Sequence, residues 1–325
     1  MTRPSSPARA PPTILTQNPG RSFSVSRVTA RHEHDASMSQ VLRPMRFGGE
    51  REQVLAFEPR AGDDRDAIVR DAEEASARAQ AAGAVLGYGF VPARHAESVF
   101  DALGWESLGP APLLVRPLRL SSAAEAFKLP AAARSLFAAL PLVAPFGRAR
   151  RSGFREIAVK DPRIDRLWDR FSIDVGVAFE RNARTFEKRI FDGIEGSGRR
   201  VFIFEDGDRY AIRAMCIFAV KDDERGRHGT IVELLHDRSV TGLRAASHLL
   251  GLALREMLDA GADAALAWSL ASSGSYPIYA RHAFFSPPEA FRSDDLRLGV
   301  RAFDADLDAL VTQRDRWYLS YLDRV

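Results

Sequence analysis

Residues 259–266 read DAGADAAL, and residues 81–86 read AAGAVL. In both stretches a helical run rich in alanine or leucine ends at a glycine, Gly83 or Gly261, the residue type that commonly closes a helix. A short apolar run follows, of the kind that forms a strand in the centre of a sheet. Each strand leads through a polar loop to a short helix with an aromatic end. The chain therefore repeats one helix–strand–helix unit, and this repeat decides the fold.

The spacing of apolar residues around the repeat predicts the other elements. In the first half it predicts strands at 23–30, 38–47, 52–57, 84–90 and 111–118, and helices at 66–82 and 94–103. In the second half it predicts strands at 154–160, 200–205, 210–220, 229–236, 264–270, 296–303 and 315–322, and helices at 162–171, 180–191, 240–260 and 274–282. Strands that alternate with helices in this order predict an α/β fold, in which mixed sheets carry helices on both faces.

The composition excludes several classes of function. The chain has 325 residues, and its 46 Lys and Arg are nearly balanced by 43 Asp and Glu, without the concentrated basic element of a nucleic-acid binder. The single cysteine, Cys216, excludes an internal disulfide and fits a reducing compartment. The longest apolar stretch, 136–146, has half the length of a membrane helix of ~20 residues, and the histidines do not cluster as metal ligands would. We expect a cytoplasmic protein with no metal, no nucleic acid and no membrane segment.

At this point the repeated unit resembles the GNAT superfamily of acyl-CoA-dependent N-acyltransferases. Its typical Tyr-x-x-x-Gly-Phe ending of the fourth helix is matched by residues 279–284 (YARHAF), with alanine in place of the glycine. The first copy matches as residues 100–105 (FDALGW), which keep the glycine and lose the tyrosine. Residues 317–323 (WYLSYLD) resemble the tail of bacterial two-unit GNAT-like proteins.

The resemblance implies two tandem GNAT-like mixed sheets flanked by helices. It implies an N-acyltransferase, in the first place an N-acetyltransferase, which uses acetyl-CoA and transfers the acyl group to a small-molecule amine by direct attack. The sequence leaves one alternative open, a catalytically inactive GNAT-like module that binds a metabolite or a partner. It makes no prediction of the oligomeric state.

The same comparison predicts how the chain is divided. Residues 1–22, with five prolines among Ser, Arg and Ala, are expected to be a disordered tail. Residues 23–120 form a degenerate first unit, truncated because 1–50 offers no opening strand and helix pair. Residues 121–152 are a linker, and residues 153–325 form the more complete acyltransferase unit.

The resemblance also assigns residues to CoA. GNAT proteins hold the pyrophosphate on an Arg/Gln-x-x-Gly-x-Gly/Ala loop at a helix N-terminus, and this chain retains only one glycine there. The residues so assigned are Leu235, Arg238, Thr241, Gly242, Leu243 and Arg244. Gly242 is equally typical of an ordinary helix start, so both interpretations stay open. In the first unit Asp63 and Asp64 would repel a phosphate, and we expect no CoA there.

Two residues are assigned to catalysis. Glu233 stands in an apolar strand, where a carboxylate is costly to bury unless it is paired or faces a cleft. By position it matches the glutamate that serves as the base in many GNAT proteins, and the alternative is a structural ion pair with an arginine. Tyr279 matches the tyrosine that protonates the leaving thiolate, and the alternative is an aromatic residue of the core. We predict that the two act on opposite sides of one thioester.

Overall fold

In the residues that the structure describes, the first half of the chain supplies five strands and two helices. The structure, a computed structural model, describes residues 39–47, 50–59, 62–119, 153–192, 198–207, 210–223, 226–288 and 296–324. The first-half elements are β1 (Ser39–Phe47), β2 (Glu50–Glu58), α1 (Arg65–Ala81), β3 (Leu86–Pro92), α2 (Ala93–Leu103), β4 (Glu106–Pro110) and β5 (Leu113–Pro117). Gly83 and Gly104 follow the two helices with positive φ, as the helix ends predicted from the sequence require.

The second half adds seven strands and five helices in the described ranges. They are β6 (Phe154–Ile157), α3 (Arg163–Phe171), β7 (Val177–Phe179), α4 (Ala183–Phe186), β8 (Arg199–Asp206), β9 (Ala211–Asp223), β10 (Gly226–His236), α5 (Val240–Asp259), β11 (Ala264–Trp268), α6 (Tyr276–Arg281), β12 (Leu296–Ala302) and α7 (Ala305–Val311). The apolar spacing predicts that the long helix α5 buries Leu243, Ala246, Leu250, Leu254, Met257 and Leu258. Four of these are buried, but Leu258 is only partly buried and Leu243 is 37% exposed.

These strands form two mixed six-stranded sheets, which confirms the predicted fold class. The first has the order β4-β12-β3-β2-β1-β7, and the second has the order β5-β11-β10-β9-β8-β6. By its internal contacts the chain from Ser37 to Val325 forms one unit.

The two halves of the sequence exchange strands between the sheets. Strand β5 pairs antiparallel with β11 of the second sheet, from Leu113 opposite Trp268 to Pro117 opposite Ala264. Strand β12 lies between β3 and β4 of the first sheet, where a side chain at Gly299 would collide with the ring of Phe100 on α2. The strand predicted at 111–118 thus forms as β5, but it lies in the second sheet and not with the other strands of the first half. The short first half instead obtains β7 and β12 from the second half.

The C-terminal segment departs from the predicted strand at 315–322. It forms two 3-10 turns, Arg314–Arg316 and Tyr321–Asp323, with one isolated bridge between Trp317 and Val177. A capping box at Ser320 starts the second turn and ends the extended backbone. Trp317, Leu319 and Leu322 are nevertheless buried, so this segment is part of the core.

Other differences from the predicted elements are local. The helix predicted at 180–191 is the short α4 followed by a π turn at Glu187–Phe191. Strands β4 and β7 and helix α7 were not predicted. The strand at 23–30, the tail at 1–22 and the linker at 121–152 lie outside the described residues. Within the described part no helix has the length and apolarity to cross a membrane, and no group of three or more His, Cys, Asp or Glu is placed to hold a metal ion.

Candidate active site

Strand β10 leaves its neighbour β11 part-way along its length. The two pair in parallel only from His228 opposite Ala264 to Ile231 opposite Ala267. The register of β10 against β9 then shifts between Ile231 and Glu233, a bulge that bends a strand and redirects its side chains. β10 continues to His236. Its last residues therefore face a gap in the sheet.

A cleft of about 410 Å³ lies at this end of β10. Its wall contains His236, Arg238, Leu243, Phe171, Asp174, Val175 and residues 272–274 and 315–318. These residues come from the end of β10, the start of α5, the segment after α3, the loop after β11 and the C-terminal segment. Sites of this size hold small ligands and cofactors.

The start of α5 forms one edge of the cleft. Ser239 caps the helix, because its Oγ accepts a hydrogen bond of 3.0 Å from the Gly242 N–H. The Asp237 carboxylate accepts from the Ser239 N–H at 3.1 Å and is paired with Arg213 at 2.7 Å. Burial alone would raise the pKa of Asp237, but the bonds from Ser239 and Arg213 outweigh it and hold the pKa below its usual value. A carboxylate thus already lies at this helix N-terminus, where an anion is stabilised.

His236 is the buried polar residue of the cleft wall at the end of β10. It is 3% exposed, and its Nδ1 lies 2.9 Å from the Asp237 carbonyl oxygen. A carbonyl only accepts, so Nδ1 carries the hydrogen, and in the neutral ring Nε2 holds a lone pair. Nε2 is buried without a hydrogen-bond partner. Burial lowers the pKa of His236, and the backbone of Asp237 and Gly274 offsets only part of that effect.

Behind the cleft lies a network of buried charges centred on Arg181. Its guanidinium binds Glu233 at 2.8 Å and Asp323 at 2.6 Å, and all three side chains are fully buried. Glu233 also accepts from Ser320 Oγ at 2.9 Å and from the hydroxyl of Tyr318, which lines the cleft. Burial raises the pKa of Asp323 against the opposing effect of Arg181, as expected when two carboxylates share one cation.

Solved structures of similar fold come from an acyltransferase. A structure of Saccharomyces cerevisiae N-myristoyltransferase with bound myristoyl-CoA matches 89% of this chain and 72% of its own, with 14% identity and a TM-score of 0.57. A second structure of that protein matches 82% of this chain and 63% of its own, with 13% identity and a TM-score of 0.53. This chain has the tandem GNAT fold.

The other comparisons add little to that assignment. A GCN5-related N-acetyltransferase from Anabaena variabilis matches 82% of this chain and 59% of its own, at 12% identity and a TM-score of 0.48. No protein-family model matches the sequence, and no curated protein matches it. The chain spans about two thirds of the length of the yeast enzyme.

Within this GNAT fold only two of the six residues assigned to CoA line the cleft, Arg238 and Leu243. Arg238 is half exposed and forms an ion pair with Asp174. Thr241 and Arg244 are exposed on the surface of α5. The side chain of Leu235 is buried in the hydrophobic cluster that also contains Leu167.

Gly242 has a structural reason to be glycine. A Cβ atom there would collide with the Asp237 carboxylate and lie 2.5 Å from the Asp237 carbonyl oxygen. This geometry favours the interpretation of Gly242 as a helix-start residue. It also means that a bulky residue at this position would disturb the helix start whether or not a phosphate binds there.

The two residues assigned to catalysis occupy different parts of the fold. Glu233 lies in the buried network, which favours the structural ion pair that the sequence left open. Tyr279 is 3% exposed and packs in the core with its ring 5.3 Å from that of Phe284, and burial raises its pKa. The negative charge of Glu233 raises that pKa further, so the tyrosine lies within electrostatic range of the network.

Sequence reasoning missed one residue of the cleft wall, Tyr318, and gave another, His236, too little weight. The position of His236 beside Asp237 at the end of a strand indicated that it could line the cleft, but a helix-cap or surface role was favoured. Tyr318 was placed in a strand that does not exist. Its burial depends on contacts across the fold, with a hydroxyl bonded to a residue 85 positions away, and no local pattern reports such a contact.

Proposed function

We propose that this chain is an N-acyltransferase, which takes an acyl group from acyl-CoA and passes it to an amine by direct attack. The observation that carries the proposal is the cleft where β10, past its bulge, has left β11 and where α5 begins. In the fold that the chain resembles, the fourth strand and the fourth helix flank the cleft, and the long helix after that strand holds the pyrophosphate.

Cationic side chains at the cleft are suited to the phosphates of the donor. Arg238 and Arg316 both line it, and the N-terminus of α5 adds the partial positive charge of its dipole. Because Ser239 and Asp237 occupy part of that terminus, we assign the phosphate contacts chiefly to the arginine side chains and not to a glycine-rich backbone.

Acidic and apolar side chains at the same cleft are suited to the acceptor and the acyl arm. Asp174 and Asp315 attract the ammonium form of an amine. Val240 and Leu243 are exposed apolar residues at the start of α5, where they can cover the apolar part of the donor. We propose a small-molecule amine as the acceptor, as the resemblance implies.

Catalytic roles follow from the same placement. Glu233 fixes the Tyr318 hydroxyl in the cleft wall and does not itself touch the acceptor, since four donors already surround it. Tyr279 packs in the core and is not part of the cleft wall, so its role as the acid rests on the resemblance alone. Its raised pKa means that the hydroxyl stays protonated until a thiolate develops beside it.

The test of donor binding compares two arginines of one helix start. A thermal-shift titration with acetyl-CoA and longer acyl-CoA should raise the melting temperature, since a ligand at 100 times its Kd adds about 2.7 kcal/mol of stability. Arg238→Ala should weaken the shift, because Arg238 lines the cleft. Arg244→Ala, which removes a cation exposed on α5, should leave it unchanged. No shift with any acyl-CoA, or an equal loss in both variants, would refute the proposed donor site.

A second candidate function is a GNAT-like module that binds a metabolite without catalysis. One observation favours it. The Leu234 carbonyl, which faces the gap beside β10, already accepts from Ser275 Oγ at 3.0 Å, and the Tyr318 hydroxyl oxygen lies 3.3 Å from it. The backbone carbonyl of β10 that would bind the pantetheine arm of CoA therefore already has a hydrogen-bond partner within the chain. Absence of acyl-CoA binding, together with binding of another metabolite in the cleft, would select this candidate.

A further inference from the structure

One buried atom in the cleft wall lacks the partner that its chemistry calls for. In the described ranges five buried side-chain atoms have no hydrogen-bond partner, and His236 Nε2 is the one whose residue lines the cleft. Leaving a buried acceptor unpaired is unfavourable, and such groups in native proteins require an explanation. A hydrogen donated by a ligand in the cleft supplies one.

The neighbours of His236 fix its tautomer. The Asp237 carbonyl holds the hydrogen on Nδ1, so the free lone pair is on Nε2. Asp237 is itself held in place by Arg213 and Ser239. The ring packs edge-on against Phe171, with centroids 5.4 Å apart, so its orientation is set on two sides.

We propose that His236 is the general base of this site, and that its Nε2 accepts the proton of the attacking amine. This inference rests on the proposed function. The acceptor ammonium gives one proton to Nε2, and the freed nitrogen lone pair forms the C–N bond with the thioester carbonyl carbon. The C–S bond breaks, a second nitrogen proton ends on the thiolate sulfur, and the third stays on the amide. His236 then releases its proton to solvent.

The other polar groups near the cleft are less suited to this step. Glu233 accepts four hydrogen bonds within its network, and the Tyr318 hydroxyl donates its hydrogen to Glu233. Burial also keeps His236 neutral near neutral pH, which is the state that a base requires. The charged groups around it are Arg213 on β9, Asp237 and Arg238 after β10, Arg170 and Asp174 at and after the end of α3, and Asp315 and Arg316 in the C-terminal segment.

Access to Nε2 depends on the loop at residues 272–274. In the free chain the atom is buried, and the backbone of Gly274 lies beside the ring. No heavy atom lies within 4 Å of a Cβ built on Gly274, so there is space on that side of the loop. We assign to this loop the small movement that brings the amine within hydrogen-bond distance of Nε2.

The test uses a variant that keeps the bond to Asp237. In His236→Asn the side-chain amide can still donate to the Asp237 carbonyl, but Nε2 is gone. With acetyl-CoA and hexylamine as probes and thiol release as the readout, kcat should fall about 10²–10⁴-fold. The wild-type kcat/KM should rise with pH as His236 loses its proton, at a lower pH than a free histidine does, and this limb should be lost in the variant. A second rise, where hexylammonium itself loses its proton near pH ~10, should remain in both proteins. The melting temperature and the shift with acetyl-CoA should be retained.

Two further measurements separate the base from a structural role. His282→Asn changes a histidine that contacts Ser247 and does not line the cleft, and it should keep both turnover and the pH limb. In the unaltered protein, ¹⁵N NMR of His236 should show hydrogen on Nδ1 and none on Nε2 at neutral pH.

Each failure identifies a different error. If His236→Asn kept turnover within threefold of wild type with the same pH limb, or if NMR showed the opposite tautomer, the base assignment would be overturned and the acyltransferase proposal would stand. If acetyl-CoA neither stabilised the wild type nor was consumed, the proposed function would be wrong, and so would the role of His236 that rests on it.

Discussion

Glu233→Gln tests whether the carboxylate behind the cleft is a structural group. Its two oxygens divide four donors between them. Oε1 accepts from the Tyr318 hydroxyl and the Leu234 N–H, and Oε2 accepts from Arg181 Nε and Ser320 Oγ. Glutamine has one oxygen and one NH₂ group in place of the two oxygens. In either orientation of the amide, the NH₂ group therefore faces two hydrogen-bond donors and cannot accept from them.

The magnitude follows from these bonds. Two hydrogen bonds to a buried charge are lost, each worth about 1.5–3 kcal/mol. Rotation of a hydroxyl recovers part of this loss, since Tyr318 can turn to the Leu234 carbonyl at 3.3 Å. Arg181 keeps Asp323 as a partner at 2.6 Å, so the full penalty of an isolated buried cation does not arise. We expect the free energy of unfolding to fall by about 3 kcal/mol, a large part of the total for a typical domain.

Urea denaturation measures this change, and the chain offers a matched control. Glu256 pairs with Arg200 at 2.6 Å, but both side chains are more than a third exposed. Glu256→Gln should therefore cost less than about 1 kcal/mol. If Glu233→Gln were as stable as the wild type within about 0.5 kcal/mol, the account of the buried network would be wrong.

Three further predictions concern single groups. Gly242→Ala should destabilise the chain by about 1–3 kcal/mol with or without acyl-CoA, because the new Cβ collides with Asp237. Gly207→Ala is the control, since Gly207 has open space around it and the change should not destabilise the chain. Equal melting temperatures of the two variants would contradict this prediction. Tyr279→Phe keeps the ring packing and should leave stability within about 1 kcal/mol while lowering acyl-CoA turnover at least 10-fold; unchanged turnover would remove Tyr279 from the mechanism. Burial lowers the pKa of His282 to about 4. As the pH falls from 6.5 to 4, the unfolded chain therefore binds a proton at this residue before the folded chain does, and the free energy of unfolding should decrease. Over that range the wild type should lose about 2–3 kcal/mol more than His282→Asn, and parallel pH curves for the two proteins would refute the shift.

Local patterns were sufficient for the elements that the fold builds from neighbouring residues. The glycine-terminated helices and the buried strands after them were predicted because the periodicity of apolar residues and the helix-ending glycine act within a few positions. The exchange of β5 and β12 was not predictable in this way. Both strands have the composition of buried strands, and the choice of partner depends on packing such as that of Phe100 on Gly299.

The sequence indicated where a cleft lies but not the contacts within it. The order of elements placed the candidate site at the end of β10 and the start of α5, where the structure has a cleft, and the use of that cleft as a donor site stays a prediction. The contacts of the assigned residues could not be predicted in this way. Arg181 binds Glu233 from 52 positions away in the sequence, and Ser320 binds Glu233 from 87 positions away. Such contacts are set by the tertiary fold. The pairing of Gly242 with Asp237 is closer in sequence, yet it becomes visible only when the turn between them is known.

Amine-dependent release of thiol from acyl-CoA decides between an acyltransferase and a binding module. We expect the purified chain to release free CoA from acetyl-CoA or a longer acyl-CoA only when a primary amine is present, and mass spectrometry to find one amide per thiol. Arg238→Ala should raise the KM for acyl-CoA, and Arg244→Ala should not. Stabilisation by acyl-CoA without thiol release, for every chain length and amine supplied, would contradict the claim and leave the binding module as the function of this fold.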